Sequence, residues 1–266
     1  MRSIPSLIIA VLLPLLGSLA ALSGARADER EVDLALVLSV DISNSMDPEE
    51  QTLQREGFVE AFRSAEVQEA IRKGSLGRIA VVYMEWDGSS LQQVVVPWTV
   101  IAGPGDAAAF SDRLARVPTQ RAPRTSISGA IDFSVGLLAR SGVEAARQVI
   151  DVSGDGANNQ GRFVGQARDE AVARGITVNG LPIMLKRPGG YFDIEDLDAY
   201  YRDCVIGGPG AFMVPVRERR HFADAIRTKL VREIADLGAP LVQPAQAQPR
   251  ANCFSGESPS WERWRN

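Results

Sequence analysis

The chain contains one histidine, His221, and only two cysteines, Cys204 and Cys253. A zinc site draws on several nitrogen or sulfur ligands, and a histidine-based nucleophilic triad needs an imidazole beside a hydroxyl or thiol. Neither is readily assembled from one histidine that starts an amphipathic helix and reads as a surface residue. Basic clusters are also missing. Lys and Arg number 29 against 33 Asp and Glu, aromatics make up 6% of residues, and no basic stripe interleaved with aromatics occurs. Nucleic acid and anionic membrane surfaces are therefore not expected partners.

Long apolar runs are confined to the N-terminus. Arg2 precedes an apolar stretch at 7–22, broken by Pro14 and Gly17, and Ala25-Arg26-Ala27 then gives way to polar Asp28-Glu29-Arg30-Glu31. This pattern predicts a secretory signal over residues 1–27 with a small-x-small cleavage site. A retained anchor is the alternative, but the two breakers fall in a stretch already near the ~18-residue minimum for a spanning helix. No later segment is apolar enough to span. Cleavage removes Arg2 and Arg26 and moves the formal charge from −4 to about −6, a mildly acidic chain bound for the periplasm or the exterior. Length allows one core, expected over residues 28–238, followed by a C-terminal tail at 239–266 rich in Pro, Gln and Ala. An oxidising compartment permits Cys204 and Cys253 to pair, which would pin the tail to the domain, but their spacing alone does not decide it.

Between these ends, strand-like runs alternate with amphipathic ones, as in an α/β sheet covered by helices on both faces. Six strands are expected: 32–40, 78–86, 91–100, 148–153, 176–184 and 211–216. The second and third, joined through Asp87-Gly88, read as an antiparallel pair at one edge. Asp47-Pro48-Glu49-Glu50 reads as a helix start, with a cap, proline at the first position and acids at the positive dipole end. Phe58 and Phe62 mark that helix's buried face. Helices are further expected near 106–117, opening at Thr125, over 163–174, and at the C-terminus with Phe222, Ile226, Leu230 and Ile234 buried.

The chemistry gathers at strand ends. The first strand, Val- and Leu-rich as if buried on both faces, runs into Asp41-Ile42-Ser43-Asn44-Ser45-Met46, which places a carboxylate and two hydroxyls on one loop. Thr125-Ser126-Ile127 opens a helix after a polar loop. The strand at 148–153 stops at Gly154-Asp155-Gly156, where glycines let the backbone turn sharply around a second carboxylate. Ligand sites of open α/β sheets lie just beyond the carboxyl ends of the strands. Oxygen-only donors without His or Cys suit Mg²⁺, with Mn²⁺ or Ca²⁺ as possible substitutes.

Taken together, these three loops resemble the von Willebrand factor A domain and its metal-ion-dependent adhesion site. Asp41-x-Ser43-x-Ser45 is similar to the family's first motif, Thr125 followed by Ile127 and Ala130-Ile131 to its threonine loop, and Asp155-Gly156 to the third. The resemblance implies a Rossmann-like α/β fold with a mostly parallel six-stranded sheet and one antiparallel edge strand. It also implies that Ser43, Ser45 and Thr125 offer hydroxyl oxygens to the ion while Asp41 and Asp155 act directly or through waters. Residues 200–210, Tyr-Tyr-Arg-Asp-Cys-Val-Ile-Gly-Gly-Pro-Gly, resemble a bacterial exported subfamily without an assigned function. One position departs from the pattern: Gly154 stands where the family usually carries threonine or a similar residue, which implies altered loop geometry.

Other candidates are weaker. Gly154-Asp155-Gly156 begins like a dinucleotide fingerprint but has Asn159 at the third glycine position. Asp193, Glu195, Asp196 and Asp198 lie in one short stretch, not on two walls held ~5 to 9 Å apart as glycoside hydrolysis requires. Trp261 and Trp264 could anchor a partner or dock on their own domain. With no catalytic constellation in view, the expected role is an exported, metal-dependent binding module, not an enzyme. Its partner would be a protein presenting Asp or Glu to the ion. The alternatives are a metal-assisted hydrolase such as a phosphoesterase, or a purely structural domain.

Overall fold

The computed structural model describes residues 30–118, 120–121, 124–186, 194–236 and 250–254. The expected signal at 1–27, most of the tail with Trp261 and Trp264, and Asp193 lie outside the described residues. Five strands form one sheet: β1 (Glu31–Asp41), β2 (Ile79–Trp86), β3 (Gln92–Ile101), β4 (Glu144–Gly154) and β5 (Thr177–Pro182), in the order β3-β2-β1-β4-β5. All neighbours are parallel except β2 and β3, so the antiparallel pair lies at one edge as expected. The connection between them is longer than a two-residue turn, running over 87–91 with the Asp87 N–H bonded to the Leu91 carbonyl at 3.2 Å.

The expected sixth strand does not form. Residues 211–216 run beside β5 and the residues just after it, with the Val214 N–H on the Gly180 carbonyl at 3.0 Å and the Val216 N–H on the Pro182 carbonyl at 2.9 Å. They form isolated bridges, Gly180 with Met213 and Ile183 with Val216, and not a continuous strand. Pro182 supplies no N–H at this seam, so the series of backbone bonds is interrupted there and the segment pairs through separate bridges.

β1 is central and almost wholly buried, which is why its sequence reads as an unbroken apolar run. Leu34, Leu36, Leu38 and Val40 face one core, where Phe58 and Phe62 of α1 (Pro48–Arg63), Phe110 of α3 (Pro104–Ala115), and Phe222, Ile226 and Leu230 of α7 (Phe222–Ile234) pack. The short α2 (Ala65–Arg72), capped by Ser64, adds Val67 and Ile71 to it. Ala35 and Val37 face the other core, covered by α4 (Ile127–Ala139), α5 (Val164–Ala173) and α6 (Leu197–Tyr200), the last continuing as a π-helical turn, Tyr201–Val205. Asp47 caps α1 in a reciprocal capping box, its carboxylate accepting from the Glu50 N–H and the Glu50 carboxylate from the Asp47 N–H, both at 2.8 Å. Cys204 and Cys253 form a disulfide, with Cα atoms 5.5 Å apart, tethering residues 250–254 to the π-helical turn.

Three ionisable side chains are buried between α7 and β4. The Lys229 Nζ lies 2.5 Å from Asp151 Oδ1 and also pairs with Glu233, and Asn179 Nδ2 donates to Glu233 Oε1 at 2.9 Å. None is more than 2% exposed. Burial, and then the charge of Asp151, push the Glu233 carboxyl up to about 7.

Three outcomes follow for stability. Lys229→Met leaves two buried carboxylates facing each other, and denaturant unfolding should show a loss of about 3–5 kcal/mol. A carboxyl raised on folding binds more protons in the native state, so its contribution is present below the unfolded value of about 4.3 and is lost as pH rises toward 7. Glu233→Gln should accordingly flatten the decline of the melting temperature across that window; parallel curves for the two proteins would contradict this. Reduction of the disulfide, which closes a loop of 49 residues, should lower stability by roughly 4 kcal/mol.

Candidate metal centre

β1 and β4 are parallel neighbours, with Val40 in register with Ser153, so Asp41 and Asp155 emerge from adjacent strand ends. The chain leaves β1 toward β2 on one side and returns to β4 on the other. A crevice forms at such a reversal of strand order. The polar inner face of α1 ties both ends down: Gln51 Nε2 donates to the Ile42 carbonyl at 3.2 Å, and Gln54 Nε2 to Ser153 Oγ at 2.7 Å.

The structure brings the first and third loops into direct contact. The Ser43 N–H donates to Asp41 Oδ1 at 2.7 Å, Ser43 Oγ and Ser45 Oγ are 2.7 Å apart, and Ser45 Oγ donates to Asp155 Oδ1 at 2.6 Å. Thr125 reaches the third loop through its backbone. Its N–H donates to Asn159 Oδ1 at 3.1 Å and its carbonyl accepts from the Asn159 N–H at 2.9 Å. A Cβ at Gly156 would lie 3.9 Å from Thr125 Oγ1. Asn159, poorly placed for a nucleotide fingerprint, thus joins the second loop to the third. Ser126 caps α4, accepting from the Gly129 N–H at 3.2 Å while donating to the Gln160 carbonyl at 2.9 Å.

Asp41, Ser43 and Thr125 form the buried floor, and Ser45 lies exposed at the rim. Burial, followed by the negative charge of Asp155, holds the Asp41 carboxyl well above the usual range, against the opposing hydrogen bond from Ser43. Asp41 Oδ2 has no hydrogen-bond partner although it is fully buried. An orphaned carboxylate oxygen carries a desolvation cost that a cation offsets. Among the described residues no group of three or more His, Cys, Asp and Glu side chains comes together to hold a metal. A cation here would draw on hydroxyl oxygens as well as carboxylates, a hard donor set that fits Mg²⁺ or Ca²⁺.

The departure at Gly154 has a local cause. A Cβ there would come within 2.8 Å of Asp41 Oδ2 and 3.1 Å of the Tyr201 hydroxyl, which itself donates to the Gly154 carbonyl at 3.4 Å. Tyr201 closes the back of the site, and glycine is what lets the third loop pass between it and Asp41. Burial and then the Asp41 charge raise the Tyr201 phenol far above its ordinary value, so it stays neutral. Sequence reading saw Tyr200-Tyr201 only as part of a subfamily pattern. Two further residues went unassigned: Arg121, whose Nη2 donates to the Asn44 and Met46 carbonyls at 2.9 Å each, and Lys186, whose Nζ lies 3.8 Å from Asp155 Oδ2. Nothing in their local sequence marks them, because the partners of Arg121 are more than 70 residues away and those of Lys186, namely Asp155, Glu50 and Ser45, are between 31 and 141 residues away.

The fold, a mostly parallel five-stranded sheet between helices, is similar to that of solved von Willebrand factor A-type structures. Proximal thread matrix protein 1 from the mussel byssus matches with a TM-score of 0.56 at 12% identity, over 78% of this chain and 48% of its own. The pilus adhesin SpaC from Lactobacillus rhamnosus GG, in an open conformation, matches at 0.56 and 13%, over 77% of this chain and 30% of its own. A von Willebrand factor type A protein from Catenulispora acidiphila matches at 0.53 and 14%, over 76% and 43%. The likeness covers less than half of each of those chains and defines the fold alone. At the level of sequence, residues 31–238 match the family described as "Protein of unknown function (DUF1194)", and the chain belongs to that family. No curated protein matches it.

The close approach at Gly154 is directly testable. Gly154→Ala should cost about 1–3 kcal/mol in denaturant unfolding through overpacking against Asp41 and Tyr201, and an unchanged midpoint would show that the loop has room to spare.

Proposed function

We propose that the protein is an exported, metal-dependent binding module that takes up an acidic residue of a protein partner at the Asp41, Thr125 and Asp155 loops. The observation that carries this reading is the buried, unpartnered Asp41 Oδ2 in an oxygen-only cluster reaching from one strand end to the next. Ser43, Ser45 and Thr125 would hold the ion through hydroxyl oxygens, and Asp41 and Asp155 directly or through waters, with Mg²⁺ the best fit to this donor set and Mn²⁺ or Ca²⁺ able to replace it. When bound, the ion supplies an electrophilic position that a carboxylate oxygen can fill. The residues of the chain do the rest. Gln51 and Gln54 hold the two strand ends in place, Arg121 braces the first loop, and Tyr201 closes the floor against water.

Beside the loops lies a cleft of about 420 Å³, bordered by Ser45, Asp155, Ile183, Met184, Leu197 and Arg217. Its lining is apolar and mixed in charge, with Lys186 and Arg217 beside Glu50 and Glu195, and it leaves room next to the site for the residues that flank a partner's carboxylate. Export is proposed from the N-terminal pattern and is supported by the Cys204–Cys253 bridge, a bond that persists in oxidising compartments. No helix among the described residues is long and apolar enough to cross a membrane.

Capture of exported proteins on the immobilised domain, with Mg²⁺ or with EDTA, tests the reading. Partners should be retained with Mg²⁺ and reduced by about tenfold or more, a loss of roughly 1.4 kcal/mol or more, by EDTA or by Thr125→Ala. Equal retention under all three conditions would sink it. Turnover of phosphate esters that disappears in Asp155→Ala would instead favour a metal-assisted hydrolase.

A further inference from the structure

Lys186 lies four residues beyond the end of β5, where its ammonium reaches back to the site from the cleft side. Nζ pairs with Glu50 Oε2 at 2.5 Å, contacts the Ser45 carbonyl and lies 3.8 Å from Asp155 Oδ2. Glu50 is only 1% exposed and is fixed in the capping box of α1. The ammonium therefore rests on a rigid anchor, although the Lys186 side chain itself is 43% exposed. Its two other neighbours, Ser45 and Asp155, belong to the cluster assigned above to the ion and are joined to each other by a 2.6 Å hydrogen bond.

We propose that Lys186 is a tethered cation of this site, competing with the divalent ion for Asp155 and so setting how much of that ion is needed to fill it. The proposal rests on the metal-binding reading above. A positive charge placed this close to one ligand and to the carbonyl of another weakens the negative potential that draws a second cation in. The same charge offsets the repulsion between Asp155 and the buried Asp41 while no ion is present, and so holds the first and third loops together. A monovalent ion gains too little from the site to displace an ammonium that also holds Glu50. A divalent ion brings twice the charge and can. Lys186 is thus a selectivity and threshold residue: it favours divalent over monovalent cations and raises the concentration at which the site loads.

Calorimetric titration of the full chain with Mg²⁺ at fixed ionic strength, on wild type, Lys186→Met and Lys186→Arg, tests this. Lys186→Met should bind Mg²⁺ about tenfold more tightly than wild type, the effect of removing a charge a few ångströms from the ligands, while Lys186→Arg stays near wild type. In EDTA, Lys186→Met should melt below wild type and gain more than wild type when Mg²⁺ is added, a readout independent of any partner. Equal or weaker Mg²⁺ binding by a folded Lys186→Met, with wild type binding normally, overturns the competition and leaves the metal reading standing. If neither wild type nor Lys186→Met takes up Mg²⁺ or Mn²⁺, the metal reading fails and this proposal with it. Lys186→Gln provides the same comparison should the methionine variant fail to fold.

Discussion

Two carboxylates, Asp41 and Asp155, are held against each other at the ends of adjacent parallel strands, and much of the surrounding structure serves to make that tolerable. Their proximity follows from the register of β1 with β4, which neither side chain can alter. Asp41 is fully buried, has one oxygen without a hydrogen-bond partner, and feels the charge of Asp155 directly. Like charges brought together in a dry pocket are expensive unless a proton or a cation relieves them. The Ser43 N–H and the relay through Ser43 and Ser45 relieve part of it, and Lys186 contributes from outside. A divalent ion would relieve the remainder, which is why the site reads as a cation site without any histidine or cysteine.

The scaffold makes this arrangement rigid. β1 is sandwiched between two apolar cores and cannot shift register without moving its alternate residues from one core to the other. The polar face of α1 is turned inward toward the same strand ends, through Gln51, Gln54 and Arg55, the last paired with buried Glu85. On the far side Tyr201 occupies the space that a side chain at position 154 would need. The pocket is shaped by a tyrosine from a π-helical turn and by a glycine that makes way for it. That turn is also where Cys204 anchors residues 250–254, so the bridge and the floor of the site share one short segment.

Much of the fold was legible in the sequence because its strongest signals are local. The apolar run of β1, the Asp47-Pro48 cap and the four-residue spacing of Phe222, Ile226, Leu230 and Ile234 each encode an element within a short window, and each is found. The sixth strand misled because residues 211–216 have strand composition, while the interruption of their pairing comes from Pro182, a residue about thirty positions earlier that has no N–H to give. The short α2 escaped notice because its eight residues offer barely two turns of periodicity. At the site, the loops carrying Asp41, Ser43, Ser45, Thr125 and Asp155 were legible as three strand-end or helix-start motifs, and the structure brings them to one crevice. Tyr201, Lys186, Arg121 and the second role of Asn159 were not legible, since each acts on a partner distant in sequence and none carries a motif of its own. The cysteine pairing was open until the backbone placed the two Cα atoms within bridging distance.

The central claim is that the Asp41, Ser43, Ser45, Thr125 and Asp155 cluster is a cation site built from hard oxygens. The most direct measurement is anomalous diffraction at the manganese edge from crystals grown with Mn²⁺. The account predicts a strong peak within the cluster, about 2.0–2.3 Å from serine hydroxyl oxygens and with oxygen neighbours only. Well-ordered loops with no peak between them, or manganese bound elsewhere on the domain while the cluster stays empty, would contradict it.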